Sequence, residues 1–113
     1  MDIRQYDIWL ANLHPAKGSE PGKIRPVVIV QTDLLSEVHP SVIVCPVTSK
    51  VQAESEILRV HLGKNQLDKP SDILVDQVRA IDKRRLIERL GKLTTAQTRK
   101  LRENLKILLD LDQ

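Results

Sequence analysis

Residues 41–48 read SVIVCPVT and residues 26–32 read PVVIVQT. Both are rich in β-branched residues and too short to favour a helix, so both read as strands. The 26–32 run is apolar in succession rather than alternation, which predicts a strand buried on both faces. Pro46 has no N–H to donate, so that end of the 41–48 strand is expected at a sheet edge or a bulge.

Upstream, Tyr6–Leu13 is apolar-rich and stops at His14-Pro15, giving another strand. Between it and Pro26 lies HPAKGSEPGKI at 14–24, with two Gly and two Pro. That is long for a hairpin connection, and long loops are often functional. Downstream, Glu56–Leu62, Asp72–Val78 and Leu86–Leu93 read as further strands, the last interrupted by Gly91. Thr94 with Gln97 three residues on forms a capping-box signature. Leu101, Leu105, Leu108 and Leu109 then recur at helical spacing, predicting an amphipathic helix over 95–111 with Arg99, Lys100, Arg102 and Lys106 on its other face. Several short strands closed by one helix imply a mainly β fold, a small antiparallel barrel with a C-terminal amphipathic helix.

With 113 residues and no repeat or linker, one domain over 1–113 is expected. Cys45 stands alone, so no intrachain disulfide and no cysteine-based zinc site is possible within it. No run approaches the ~20 apolar residues of a membrane span. Asp2 and Arg4 interrupt the N-terminal residues, so no signal-peptide core is expected and the default location is a reducing cytoplasm. One Trp, one Tyr and no Phe leave too few aromatics for a multi-base stacking platform. Trp9, in an apolar strand, reads as core, and Cys45 as a small buried hydrophobe. Residues 83–106 hold nine basic and two acidic side chains against a whole-chain charge of +3, so the last third could face a polyanion. A solvated helix face explains the same excess.

Walker, GxGxxG, HExxH and GxSxG signatures are all missing from the sequence, and His14, His39 and His61 are isolated. Two places retain chemical interest. In GSEPGKIRP at 18–26, Pro26 biases Arg25 toward an extended backbone at the mouth of a buried strand. Lys17, Ser19, Glu20 and Lys23 precede it, and a rigid Arg beside a polar loop suits an anion. The second is Thr48-Ser49-Lys50, where an apolar strand gives way to two hydroxyls and an ammonium. An ordinary hairpin and a plain strand end account for the same residues. If the two strand ends met in a barrel, an Arg, a Thr hydroxyl and nearby carboxylates would surround one phosphate.

Taken in order, DIWLANLHPAKGSEPGKIRPVVIVQTD at 7–33, SVIVCPVTSK at 41–50 and ILVDQVRAIDKRRL at 73–86 resemble the MazF/PemK (Kid) family of toxins. The resemblance runs over nearly the whole chain. It implies an SH3-like barrel of the CcdB/PemK type that forms a homodimer. It also implies a metal-independent endoribonuclease, an mRNA interferase, that cuts single-stranded RNA through its 2′-hydroxyl. The products would be 2′,3′-cyclic phosphate and 5′-hydroxyl ends, and no cofactor is implied. The implied partner besides RNA is a cognate MazE-like antitoxin with an acidic tail.

On this resemblance the catalytic residues are Arg25 and Thr48, with Glu20 and Asp76 as the carboxylates. Lys17, Ser19, Lys23, Ser49 and Lys50 would bind RNA, and Gln77 would either read a base edge or make a sheet-face hydrogen bond. The PemK branch has a His at the place of Ser19 and an Arg at the place of Leu74, so the branch relying chiefly on Arg and Thr fits better. Two alternatives carry other functions: a CcdB-like gyrase-binding toxin, and a catalytically silent RNA-binding member of the family.

Overall fold

The computed structural model describes residues 2–13, 23–52, 54, 57–64 and 66–111. Among these residues seven strands form: β1 (Asp7–Asn12), β2 (Ile24–Ile29), β3 (Ser41–Thr48), β4 (Arg59–Leu62), β5 (Ser71–Leu74), β6 (Arg79–Asp82) and β7 (Leu86–Lys92). One helical turn, α1 (Asp33–Ser36), follows β2, and α2 (Thr95–Leu109) closes the fold. The sheet runs β4-β5-β3-β2-β1-β7, antiparallel throughout, with β6 also paired to β3. Among the described residues no ladder joins β4 to β7, so the small barrel is open.

Strand β3 matches the sequence expectation to the residue, but Pro46 does not mark an edge. On one side β3 pairs with β2. On the other it pairs with β6 through Ser41–Val44 and with β5 through Val47 and Thr48. Cys45 and Pro46 fall in the gap where the partner changes. The residue without an N–H therefore sits at an interruption of the ladder inside the sheet.

The 26–32 run is displaced. The strand begins at Ile24 and ends at Ile29, because Val30 and Gln31 turn away with both N–H groups donating to the Ile43 carbonyl (3.0 and 3.2 Å). Thr32 then caps α1, its hydroxyl accepting the Leu34 N–H. The 72–78 strand is cut at Leu74 by a 3₁₀ turn over Val75–Gln77, and β6 emerges as a separate strand. Gly91 does not break β7, since it pairs opposite Ile8. The irregularities lie at Ile87 and Leu90, each an extra residue against β1.

Burial on both faces holds for the middle of β2: Val27, Val28 and Ile29 are wholly buried. Their alternation divides the core in two. Val27 and Ile29 join Trp9, Ala11, Val42, Val44, Ile81 and Leu86 on one face. Val28 joins Ile8, Cys45, Val47, Val60, Leu62, Ile73 and Leu101 on the other. Helix α2 covers the second face, and its capping box forms as expected. Thr94 Oγ1 accepts the Gln97 N–H and Gln97 Oε1 accepts the Thr94 N–H. Leu101 is wholly buried and Leu105 packs against the core, whereas Leu108 and Leu109 are exposed. The helix seats on β4 and the 75–77 turn, and Ile107, Leu108 and Leu109 of its last turn are exposed. Its described elements include no helix long and apolar enough to cross a membrane.

Candidate active site

A cleft of about 670 Å³ opens where β2 begins and β3 ends. Its walls are Lys23–Pro26, Val47–Ser49, Gln66–Lys69 with Ser71, and the side chains Leu10 and Leu90. The pairing of β2 with β3 explains why these ends meet. Val27 lies opposite Pro46, and continuing that register two residues brings Arg25 level with Thr48. Antiparallel neighbours at the same level share a face and approach to about 5 Å between Cβ atoms. On the far side of β3, Thr48 pairs with Asp72 of β5, and Asp72 with His61 of β4. Thr48, Asp72 and His61 thus stand in one row across three strands, and the extended β2–β3 register aligns Arg25 with it.

Arg25 is half-buried within β2 rather than perched before it, in register with Ala11 of β1. The hairpin is closed at its base by the Leu13 N–H donating to the Lys23 carbonyl at 2.7 Å. Lys23 has φ 64°, a left-handed conformation that a non-glycine residue adopts at some cost. Leu90, pushed out by the bulge in β7, supplies an apolar wall. The described lining carries three cations, Lys23, Arg25 and Lys69, against one carboxylate, Asp68. That balance favours an anionic ligand.

Thr48 is 7% exposed. Its Oγ1 accepts the Lys50 N–H at 3.2 Å. With a lone pair so engaged, the hydroxyl proton is available to donate to a ligand oxygen. Behind it, Asp72 is buried and accepts three hydrogen bonds. They come from the Gln52 N–H (2.9 Å), Arg59 Nη1 (3.2 Å) and His61 Nδ1 (3.1 Å). Burial by itself would raise this carboxyl. The hydrogen bonds from Gln52, His61 and Arg59, with the Arg59 charge, outweigh it and hold the group below the usual carboxylate range.

Of the residues expected to act together, the structure brings Arg25, Thr48, Lys23 and Ser49 to the cleft. Lys17, Ser19 and Glu20 lie outside the described residues. Lys50 is exposed and contributes backbone rather than lining. Asp76 and Gln77 do not line the cleft. The antiparallel pairing gives the reason. From Asp72, opposite Thr48, the chain runs back along β3, and the 3₁₀ turn leaves Asp76 close enough to Cys45 to act on its thiol. Burial, with that charge adding to it, pushes the Cys45 thiol up to about 12, so it stays a neutral apolar filler.

The sequence reading missed the 66–71 wall, including Asp68 and Lys69, because nothing in QLDKPS marks a residue as facing a cleft. It also missed Asp72, Arg59 and His61. Here a signal existed: an Asp beginning an apolar strand, with an Arg and a His, both able to donate to a carboxylate, at alternate positions of the strand before it.

A family model described as PemK-like, MazF-like toxin of type II toxin–antitoxin system matches residues 4–109. The chain belongs to the MazF/PemK toxin family. Among curated relatives, the endoribonuclease MazF of Staphylococcus saprophyticus is 39% identical over 111 residues, covering 96% of this chain and 92% of that protein. Among solved structures, the Mycobacterium tuberculosis toxin MazF-mt6 superposes with a TM-score of 0.80 at 26% identity, covering 95% of this chain and 99% of that one. MazF in a MazE–MazF complex of Deinococcus radiodurans gives 0.81 at 24% identity over 99% and 100% of the two chains, which shows the shared fold. The barrel read from the sequence is therefore the MazF barrel, and the cleft of Arg25 and Thr48 lies in a MazF/PemK-type domain.

Proposed function

We propose that this protein is the toxin of a type II toxin–antitoxin pair and a metal-independent endoribonuclease acting on single-stranded RNA in the cytoplasm. The observation that carries this reading is the meeting of Arg25 and Thr48, from two separate strand ends, in one cationic cleft. The substrate's own 2′-hydroxyl is the nucleophile. Its oxygen bonds to phosphorus, the bond from phosphorus to the 5′-oxygen breaks, and the proton lost at the 2′-oxygen is matched by one gained at the 5′-oxygen. The products are a 2′,3′-cyclic phosphate and a 5′-hydroxyl.

Arg25 supplies a planar pair of N–H donors and a permanent charge to the phosphate as it gains negative charge. Thr48 donates its hydroxyl to a non-bridging oxygen. Donors aimed at charge that develops only in the transition state accelerate the step rather than merely tightening binding. A guanidinium is a poor proton acceptor. Glu20 takes that part in this reading, since Asp76 of the same chain does not line the cleft. In this reading Lys23, Ser49, Lys17 and Ser19 bind the flanking RNA backbone, together with Lys50 and Gln77. A homodimer, and a MazE-like antitoxin whose acidic segment covers the cations of the cleft, complete the reading.

The test is cleavage of a long single-stranded RNA in EDTA, with the 5′ ends of the products sequenced. Discrete cuts with 5′-hydroxyl ends, reduced at least about a hundredfold in Arg25→Ala, are expected. Intact RNA with folded protein would reject the nuclease in favour of a gyrase-binding toxin or a silent RNA-binding partner.

A further inference from the structure

The segment Ser49–Gln52 leaves β3 without joining another strand, yet hydrogen bonds hold it at alternate residues. The Lys50 N–H donates to Thr48 Oγ1. The Lys50 carbonyl accepts from Arg59 Nη1 at 2.7 Å. The Gln52 N–H donates to Asp72 Oδ2 at 2.9 Å. Arg59 Nη1 is also within 3.2 Å of Asp72 Oδ2, so the buried carboxylate holds the guanidinium that holds the Lys50 peptide.

We propose that Asp72 and Arg59 are positioning residues for Thr48, acting through the Lys50 peptide. The proposal rests on Thr48 being a donor to the substrate phosphate. The chain of contacts has a chemical consequence. A threonine hydroxyl rotates freely and can present either a lone pair or its proton to a ligand. Fixing the Lys50 N–H against Oγ1 occupies one of its two lone pairs and excludes the proton from that direction, which leaves it free to point at a ligand. With the N–H before its Cα and the carbonyl after it both hydrogen-bonded, Lys50 is held in both flanking peptide units, and the turn it closes sets the hydroxyl direction. The carboxylate suits this task because it is 2% exposed and its Oδ2 is held between the Arg59 guanidinium and the Gln52 N–H, a paired and hydrogen-bonded state that limits its movement. His61 bonds the other oxygen, Oδ1, and touches none of the 48–52 backbone through it. It completes the carboxylate without belonging to the positioning chain.

The experiment is a double-mutant cycle on cleavage of a single-stranded RNA oligonucleotide containing the mapped cut site, with kcat and KM corrected to the folded fraction. Asp72→Asn is expected to lower kcat about tenfold with KM within about twofold, since misdirecting a donor weakens the transition state and not ground-state binding. In the Thr48→Val background the same change is expected to cost less than about twofold, because the group it positions is gone. Arg59→Gln, which removes the Lys50 carbonyl contact and spares the Gln52 and His61 bonds, should repeat both results and serves where Asp72→Asn does not fold. His61→Ala should leave kcat unchanged. Equal losses in the parent and Thr48→Val backgrounds, or an unchanged kcat for both Asp72→Asn and Arg59→Gln, would overturn the proposal while leaving Thr48 catalytic. An unchanged kcat for Thr48→Val alone would instead remove the underlying role of Thr48, and this inference with it.

Discussion

Replacing Thr48 by Val separates chemistry from folding more cleanly than any other change in the cleft. Valine matches threonine in shape and suits a strand, so the 7%-exposed pocket stays filled. What is lost is the hydroxyl, with its acceptor role toward the Lys50 N–H at 3.2 Å and its donor role toward the phosphate. The first loss is small. Lys50 is exposed, so water replaces the partner and the cost stays near the ~1 kcal/mol of an ordinary hydrogen bond. That shifts the melting midpoint by a few degrees. The second loss is larger, about 3–4 kcal/mol for one donor to a developing charge, or roughly 10²–10³ in kcat. The assay is single-turnover cleavage of an end-labelled RNA oligonucleotide in EDTA, run beside a thermal melt. Thr48→Val should be folded and slow, with kcat and kcat/KM reduced together, and Thr48→Ser should stay within about tenfold of the parent. A Thr48→Val protein cutting within about threefold of the parent would refute the assignment of the hydroxyl.

Leu101→Ala should cost about 2–5 kcal/mol in urea denaturation, because a wholly buried leucine anchors α2 on the second core; a loss below about 1 kcal/mol would show that the helix does not depend on that anchor. Gln97→Ala removes one arm of the capping box and the amide pair with Gln66, a residue of the cleft wall. It should cost about 1–2 kcal/mol and raise KM for RNA, whereas an unchanged KM would detach the wall from the helix. Asp72 and Asp82 are both held below the ordinary carboxylate range, Asp82 at about 2 through its bonds and charge interaction with Arg84. Their stabilisation is complete above about pH 5, where the unfolded chain's carboxyls are ionised, and is lost as pH falls toward the folded-state values. The urea midpoint should therefore fall between pH 5 and 2 by less in Asp72→Asn than in the parent, and equal slopes would contradict the assignment. Cys45, wholly buried with its thiol pushed to about 12, should ignore a thiol reagent at pH 8 until denaturant is added, and rapid labelling of folded protein would place it elsewhere.

Much of this molecule was written in local sequence. The β-branched run at 41–48, the capping box at Thr94 and Gln97 and the closing helix are consequences of backbone preference and periodicity, which act between near neighbours. Arg25 and Thr48 stood out for the same reason: each is a polar residue next to an apolar strand. The corrections arise where a neighbour distant in sequence decides. Pro46 lies inside the sheet because β5 and β6 share β3 and leave a gap at that residue. Asp76 is carried off by an antiparallel strand reversing along β3. Leu108 and Leu109 keep the helical period yet remain exposed.

The sequence by itself determined β3, the capped closing helix and the apolar segments that become strands, and it singled out Arg25 and Thr48 beside them, since propensity, capping and hydrophobic spacing are short-range. Tertiary structure decided that Arg25 and Thr48 stand level, that Asp68 and Lys69 join their cleft while Asp76 does not, and that Asp72 and Arg59 grip the peptide behind Thr48. Register decides those placements, and register is a relation between strands that no single segment contains.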